Sequence, residues 1–240
     1  MSVLSVRQLS VVHGKRVVIE PFDWTVRVGE KWALLGVNGS GKSSVLHSLL
    51  GLNAGMRTHV TLGDAPLSEL SARSQALRRV YVPQRYDEPF TVTVWQALCS
   101  VTPDADDARR EAALREFGLL EHRNAWLHHL SGGERQRLTW VFANVLRSGE
   151  TLLALYDEPL SAQDLVWQRR LLNELCAAPH AVIAAVHDLN HVAAFASHVL
   201  VFGEGRVVAQ GAVADVMRAA VLSEAFGVAL VCDNGFWRVS

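Results

Sequence analysis

The chain has 240 residues, 50% apolar and 20% charged, which excludes a disordered, collagen-like or small disulfide-stapled protein and allows one large domain or two small ones. Its 23 Lys and Arg face 24 Asp and Glu, a formal charge of −1, so it lacks the basic footprint of a nucleic-acid binder. Only three of the cations are lysines, Lys15, Lys31 and Lys42, so any motif that demands a lysine has three places to be.

The longest strictly apolar run, Ala181 to Val186, is far too short to span a bilayer. The N-terminal residues lack a signal-peptide pattern, which predicts a cytosolic chain. Cys99, Cys176 and Cys232 are isolated, without C-x-x-C spacing. They read as small buried hydrophobes, with neither a disulfide framework nor a zinc site expected.

Apolar and polar residues alternate through the first thirty positions, which predicts short antiparallel strands at Val3–Val6, Leu9–Val12, Val17–Ile19 and Phe22–Val26. Trp32 to Leu35 is apolar on both faces, enters a glycine-rich loop and yields to a helical pattern from Ser43 to Leu50, stopped by Gly51. From about Arg85 to Asn144 the pattern is helical, with i,i+4 pairs expected between Asp106 and Arg110 and between Glu111 and Arg115. Leu152–Tyr156 and Ala181–Val186 are continuous apolar strands separated by a helix from Asp164 to Ala178. Alternation of that kind predicts an α/β fold with a mainly parallel sheet covered on both faces. Strands at Val199–Phe202 and Arg206–Ala209, a short helix from Val213 to Ala220 and a small closing segment follow. The organisation is one domain, 1–240, with an inserted helical subdomain at 85–144 and a C-terminal segment at 216–240.

Gly36-Val37-Asn38-Gly39-Ser40-Gly41-Lys42-Ser43, followed by Ser44, fits G-x-x-x-x-G-K-[ST] between a buried strand and a helix. Glycines let backbone N–H groups point into a concavity that holds phosphate oxygens, and the helix N-terminus adds its positive end. Lys42 would reach the β- and γ-phosphates, and the Ser43 hydroxyl would ligate Mg²⁺. Asp157 and Glu158 follow a buried strand, whose carboxyl end opens into the crevice where such a loop lies. Asp157 would hold Mg²⁺ and Glu158 would take a proton from the attacking water. Taken alone, the two acids are equally a helix cap ahead of Pro159.

Leu130-Ser131-Gly132-Gly133-Glu134-Arg135-Gln136-Arg137 is locally a helix start, with Ser131 and Glu134 spaced as a capping box. The box explains neither glycine, and bare donors in a first helical turn suit a close phosphate contact. This octet, with the phosphate loop, Gln84 in Tyr81-Val-Pro-Gln84, Asp157-Glu158 and His187 in Val186-His-Asp188, resembles the nucleotide-binding subunit of ABC transporters in the right order along the whole chain. The resemblance implies a RecA-like P-loop NTPase core with an N-terminal antiparallel β-subdomain and an inserted helical subdomain ending at the signature. It implies a head-to-tail homodimer around two ATP molecules, the phosphate loop of one subunit facing Ser131, Gly132, Gly133 and Glu134 of the other. By the same resemblance Gln84 senses Mg²⁺ and the γ-phosphate. His187 is the switch histidine that holds Glu158 and its water. Ser161 and Asp164, in Ser161-Ala-Gln-Asp164, touch the opposite site, with Gln163 where leucine is usual. His13 stands where an aromatic residue usually stacks on adenine, and is otherwise a turn residue.

Fused membrane helices are missing from the pattern, so a separate polytopic permease and an upstream substrate-binding protein are expected, with the chain peripheral on the cytoplasmic face of the inner membrane. Pro66-Leu-Ser-Glu-Leu70, Pro89-Phe-Thr-Val92, His187-Asp-Leu-Asn-His191 and Leu222-Ser-Glu-Ala-Phe-Gly227 are similar to the ATPases that drive import of vitamin B12, haem and ferric siderophores. Phe22-Asp-Trp24 and Phe202-Gly-Glu-Gly205 tilt towards the cobalamin branch. The rival class is a soluble ABC ATPase in cofactor assembly. A P-loop GTPase fails because no lysine is preceded by Asn, as N-K-x-D requires.

Overall fold

The computed structural model describes residues 1–14, 16–52, 59–86 and 91–240, without the side chains of His13 and Arg16. Lys15, the His13 ring and the first half of Pro89-Phe-Thr-Val92 lie outside the described residues.

In chain order, β1 (Ser2–His13) and β2 (Arg16–Arg27) form a hairpin, β3 (Lys31–Leu35) leads to α1 (Lys42–Leu49), and β4 (Val60–Leu62) and β5 (Ala65–Pro66) return to the hairpin. Next come α2 (Ala72–Arg78), β6 (Arg79–Val82) and the helices α3 (Val94–Val101), α4 (Asp107–Glu116) and α5 (Gly132–Leu146). The core is completed by β7 (Leu153–Asp157), α6 (Leu165–Ala177), β8 (Ala181–Ala185), α7 (Leu189–Phe195), β9 (His198–Gly203) and β10 (Arg206–Ala212). After these come α8 (Val213–Val216), α9 (Ala219–Phe226) and a second hairpin, β11 (Leu230–Asp233) with β12 (Phe236–Val239).

The main sheet runs β10-β9-β3-β8-β7-β6 and is parallel except for β10. Its continuous apolar strands serve two cores, because successive side chains leave opposite faces. Ala33, Leu35, Ala154, Tyr156, Val182, Ala184, Val199 and Val201 pack with the helices of residues 94–146 and with α6, α7 and α9. Trp32, Leu34, Leu153, Leu155, Ile183, Leu200 and Phe202 pack with α1 and the antiparallel sheet β2-β1-β4-β5. Burial on both sides is why these strands show no alternation in sequence.

Local expectations failed where long-range contacts competed. The four short N-terminal strands are two long ones, and the breaks in alternation are bulges. Gln8, at φ 49°, sits in one of them and gives its backbone N–H to Asp23 Oδ1 at 2.7 Å. Neither predicted i,i+4 pair forms in α4. Asp106 is instead the N-cap, accepting the Arg109 N–H; Arg110 bonds Asp107 and Thr102; Glu111 pairs with Arg123. The helix expected at Val213–Ala220 is split into α8 and α9. Cys176 and Cys232 are exposed and Cys99 is half-buried, contrary to the expected burial. Cys176 lies one residue, about 100° around the helix, from the core-facing Leu175.

Behind the sheet, Lys31 Nζ donates to the carbonyls of Ala178 and His180, each at 2.6 Å, tying β3 to the end of α6. The His180 ring is 7% exposed and its Nε2 has no partner. Burial first, then the Arg147 and Lys31 charges, pushes its pKa down from 6.5 to about 4. Between those values the unfolded chain binds a proton that the folded chain refuses, so stability falls as pH drops through that window and is independent of His180 above it. The expected slope approaches about 1.4 kcal/mol per pH unit, read from denaturation midpoints at pH 7.5 and 5. A His180→Gln chain should show a shallower dependence, and an identical slope would place the acid sensitivity elsewhere.

Candidate active site

The phosphate loop leaves β3 and enters α1 through Gly41, which has φ 97°. That backbone conformation strains any residue with a Cβ, and one here would also stand 2.7 Å from Ile19 Cδ1 of β2, so glycine suits the position. Lys42, 5% exposed, folds back and donates to the Gly36 carbonyl at 2.8 Å and the Val37 carbonyl at 3.1 Å. Burial pushes its pKa down, and the charges of Glu158 and Asp157 oppose that shift. Asp157, the last residue of β7, accepts a bond from the Ser43 side chain. Burial is the largest cause of its raised pKa; the Glu158 charge adds to it, while the Ser43 bond, His47 and Lys42 work against it. Asp157 Oδ1 and Ser40 Oγ are buried at this loop without hydrogen-bond partners.

Glu158 has φ 49°, a left-handed conformation that costs a non-glycine residue about 1–3 kcal/mol and persists only when its surroundings enforce it. Three bonds do so: its N–H donates to the Ala185 carbonyl at 3.0 Å, and its carbonyl accepts from Ser161 N–H at 3.1 Å and Gln136 Nε2 at 2.7 Å. The bend separates the two acids, with Asp157 towards the loop and Glu158 towards the cleft. Gln84 Nε2 donates to Glu158 Oε2 at 2.6 Å, and His187 Nε2 pairs with Glu158 Oε1. The carboxyl ends of β3, β6, β7 and β8 thus deliver the loop, Gln84, Asp157-Glu158 and His187 to one place, as the crevice rule for parallel sheets demands. A cleft of about 1020 Å³ is lined by residues 37–44, Gln84, Glu158 and His187, with Val17, Val18, Glu204 and Gly205 at its sides.

The signature segment stands apart from that cleft. Ser131 and Glu134 form the capping box: the Ser131 N–H and Oγ each donate to Glu134 Oε2 at 2.8 Å, and Glu134 N–H donates to Ser131 Oγ at 3.3 Å. A Cβ on Gly133 would lie 2.8 Å from the Ala162 carbonyl, so that glycine has an internal reason. One on Gly132 would meet nothing nearer than 4.0 Å. Gly132 lines a separate cavity of about 410 Å³ together with Gln84, Arg135, Gln136 and Ser161. Asp164 caps α6 through Trp167 N–H at 2.9 Å, and Ser161 Oγ accepts from Gln136 Nε2 at 3.0 Å.

Gln136, which the sequence reading passed over, ties the signature helix to the turn of Glu158, and Trp140 Nε1 reinforces it by donating to the Pro159 carbonyl. No sequence pattern singles Gln136 out, because it stands among Glu134, Arg135 and Arg137 in the first turns of α5, and its burial is evident only in the structure. Gln163 completes the network: its Nε2 donates to the Gly133 carbonyl at 3.0 Å and to Gln136 Oε1 at 3.1 Å, and its Oε1 accepts from Arg137. A Gln163→Leu chain is therefore expected to lose about 1–3 kcal/mol, because buried groups lose their donor. A denaturation midpoint equal to or above wild type would show that apolar burial outweighs the amide bonds.

A mainly parallel sheet with a phosphate loop after β3 and an acid pair after β7 defines a P-loop nucleoside triphosphatase. Residues 19–161 match the family model described as ABC transporter, and the chain belongs to that family, as an ATP hydrolase. It is 35% identical over 237 residues to the hemin import ATP-binding protein HmuV of Thermobifida fusca (strain YX), covering 93% of this chain and 82% of that protein. It is 32% identical over 219 residues to the vitamin B12 import ATP-binding protein BtuD of Salmonella heidelberg (strain SL476), covering 87% and 86%. A solved inward-facing structure described as a metal-chelate type ABC transporter shares the fold, with a TM-score of 0.77 at 22% identity over 99% of this chain and 96% of that one.

Proposed function

We propose that the chain is the ATP-hydrolysing subunit of an importer for a metal chelate, namely cobalamin, haem or a ferric siderophore. It works on a separate polytopic permease at the cytoplasmic face of the inner membrane, with a substrate-binding protein upstream. The names of the two relatives support the cargo class, and no helix among the described residues is long and apolar enough to cross a membrane.

The observation that supports this reading is that Gly132 does not line the cleft of the phosphate loop, although Gln84 lines both cavities. The phosphate loop and Glu158 share the large cleft, whereas Gly132 opens elsewhere. Two copies placed head to tail bring Ser131, Gly132, Gly133 and Glu134 of one to the phosphates held by the other, with Ser161 and Asp164 reaching across. In each site the N–H groups of 37–44 and Lys42 hold the β- and γ-phosphates. Glu158 takes the proton of the attacking water, while Gln84 and His187 fix its two oxygens and so its direction. Ser43, Asp157 and Gln84 are an all-oxygen donor set that fits Mg²⁺, a cation bound through few protein ligands, and the unpartnered Asp157 Oδ1 supports this. When bound, that ion neutralises phosphate charge. His13 is kept in the proposal as the adenine-stacking residue, and Val17 and Val18, which follow it in the chain, line the cleft.

ATP favours the closed pair, and closure acts on the permease through Gln84 and the helical subdomain at 85–144; the coupling is limited to ATP's differential affinity for the two states. Affinity purification of the tagged full chain from membranes should yield a polytopic permease in stoichiometric amount. Uptake of cobalamin, haem and a ferric siderophore into vesicles would then identify the cargo. Recovery with soluble partners alone would favour the cofactor-assembly class.

A further inference from the structure

Asn190 lies three residues beyond His187, outside the set described above, yet its side chain is fully engaged. Its Oδ1 accepts the Trp237 N–H at 2.8 Å and its Nδ2 donates to the Trp237 carbonyl at 3.3 Å, so one amide pairs with the outer edge of β12 as a neighbouring strand would. The same Nδ2 donates to Asp188 Oδ1 at 3.0 Å, and that oxygen also accepts the backbone N–H of Asn190 at 2.8 Å, which is the N-cap bond of α7. Contacts therefore run from β12 through Asn190 to Asp188, which is covalently joined to His187.

The link that carries His187 is short. β8 ends at Ala185, and Val186 N–H is fixed to the Leu34 carbonyl at 3.2 Å, so only His187 and Asp188 separate the rigid sheet from α7. Seven residues are too few for a helix to hold its own pose, and packing must set it. Leu189, Val192 and Phe195 bury one side of α7, and Asn190 ties the other side of its first turn to the hairpin. The hairpin has its own anchors: Leu230 is buried with its N–H on Ser223 Oγ at 2.9 Å, and Trp237 packs against the helical-side core.

We propose that Asn190 is a positioning residue for His187, which makes the β11–β12 hairpin part of the hydrolytic apparatus. With the amide pair made, the imidazole is held against Glu158; with it broken, the two-residue link is free to turn the ring away. This rests on the proposed roles of Glu158 and His187.

The test uses the full chain. Asn190→Ala should lower kcat on the order of tenfold with ATP affinity kept within about twofold, the split expected when only alignment of the reacting groups is lost. Amide hydrogen exchange at Trp237 should accelerate in the same variant. Ser223→Ala, which touches neither α7 nor the cleft, should lower kcat in the same direction by less, and it decides the matter if Asn190→Ala does not fold. A freed Trp237 amide with wild-type kcat overturns the inference, as does a kcat loss matched by an equal loss of ATP affinity. Glu158→Gln measured alongside keeps the two readings apart. If it turns over ATP normally the site assignment fails, whereas an inactive Glu158→Gln beside a fully active Asn190→Ala refutes only the hairpin's role.

Discussion

Replacing Glu158 by glutamine is expected to leave ATP binding intact and to slow hydrolysis about 10²- to 10⁴-fold, the usual contribution of a positioned general base. The amide keeps the shape of the carboxylate: its oxygen can still accept from Gln84 Nε2, and its NH2 can donate to His187 Nε2 when the neutral imidazole carries its proton on Nδ1. It cannot accept the water's proton. The enforced φ of 49° belongs to the backbone, held by Ala185, Ser161 and Gln136, so the substitution leaves the turn unchanged. In the proposed head-to-tail pair, ATP then accumulates unhydrolysed and the closed dimer should be visible by size-exclusion chromatography with ATP. Wild-type turnover by the variant would remove Glu158 as the base.

Lys42→Ala should weaken ATP binding by one to two orders of magnitude, since hydrogen bonds to charged groups contribute about 1.5–3 kcal/mol each. Lys42 Nζ rests on the Gly36 and Val37 carbonyls, so truncation would remove the proposed phosphate contact and also strip two loop carbonyls of their donor. Lys42→Arg should fail to rescue, because a planar fork cannot replace a compact ammonium inside a closed backbone loop. The measurement is nucleotide affinity by titration calorimetry, and unchanged affinity in Lys42→Ala would take Lys42 out of the site. Of the two described lysines, Lys31 binds carbonyls at the end of α6 and Lys42 lines the cleft.

The parallel strands were legible because burial on both faces leaves an unbroken apolar run, and the capping box at Ser131 was legible because it involves residues three apart. Both are local rules, as are the strand-loop-helix phosphate cradle and the acid pair at a strand end. Arg110 and Glu111 were misread for the same reason: helix spacing offered them partners four residues away, and tertiary packing supplied Thr102 and Arg123. Gln163 could be seen to depart from the usual leucine, but that it is satisfied by Gly133, Gln136 and Arg137 became evident only with the start of α5 placed against the turn between β7 and α6.

By itself the sequence determined the chemistry of the phosphate loop, since a cradle of backbone donors is made by consecutive residues whose glycines and lysine must be neighbours. It determined the fold class as well, because strand and helix periodicities are set within a few residues. Only the tertiary structure decided which way Glu158 faces, which groups hold its two oxygens, and that Trp237 reaches Asn190. Those contacts join strand ends, a helix and a hairpin distant in sequence, and such meetings are settled by how elements pack, which no local pattern encodes.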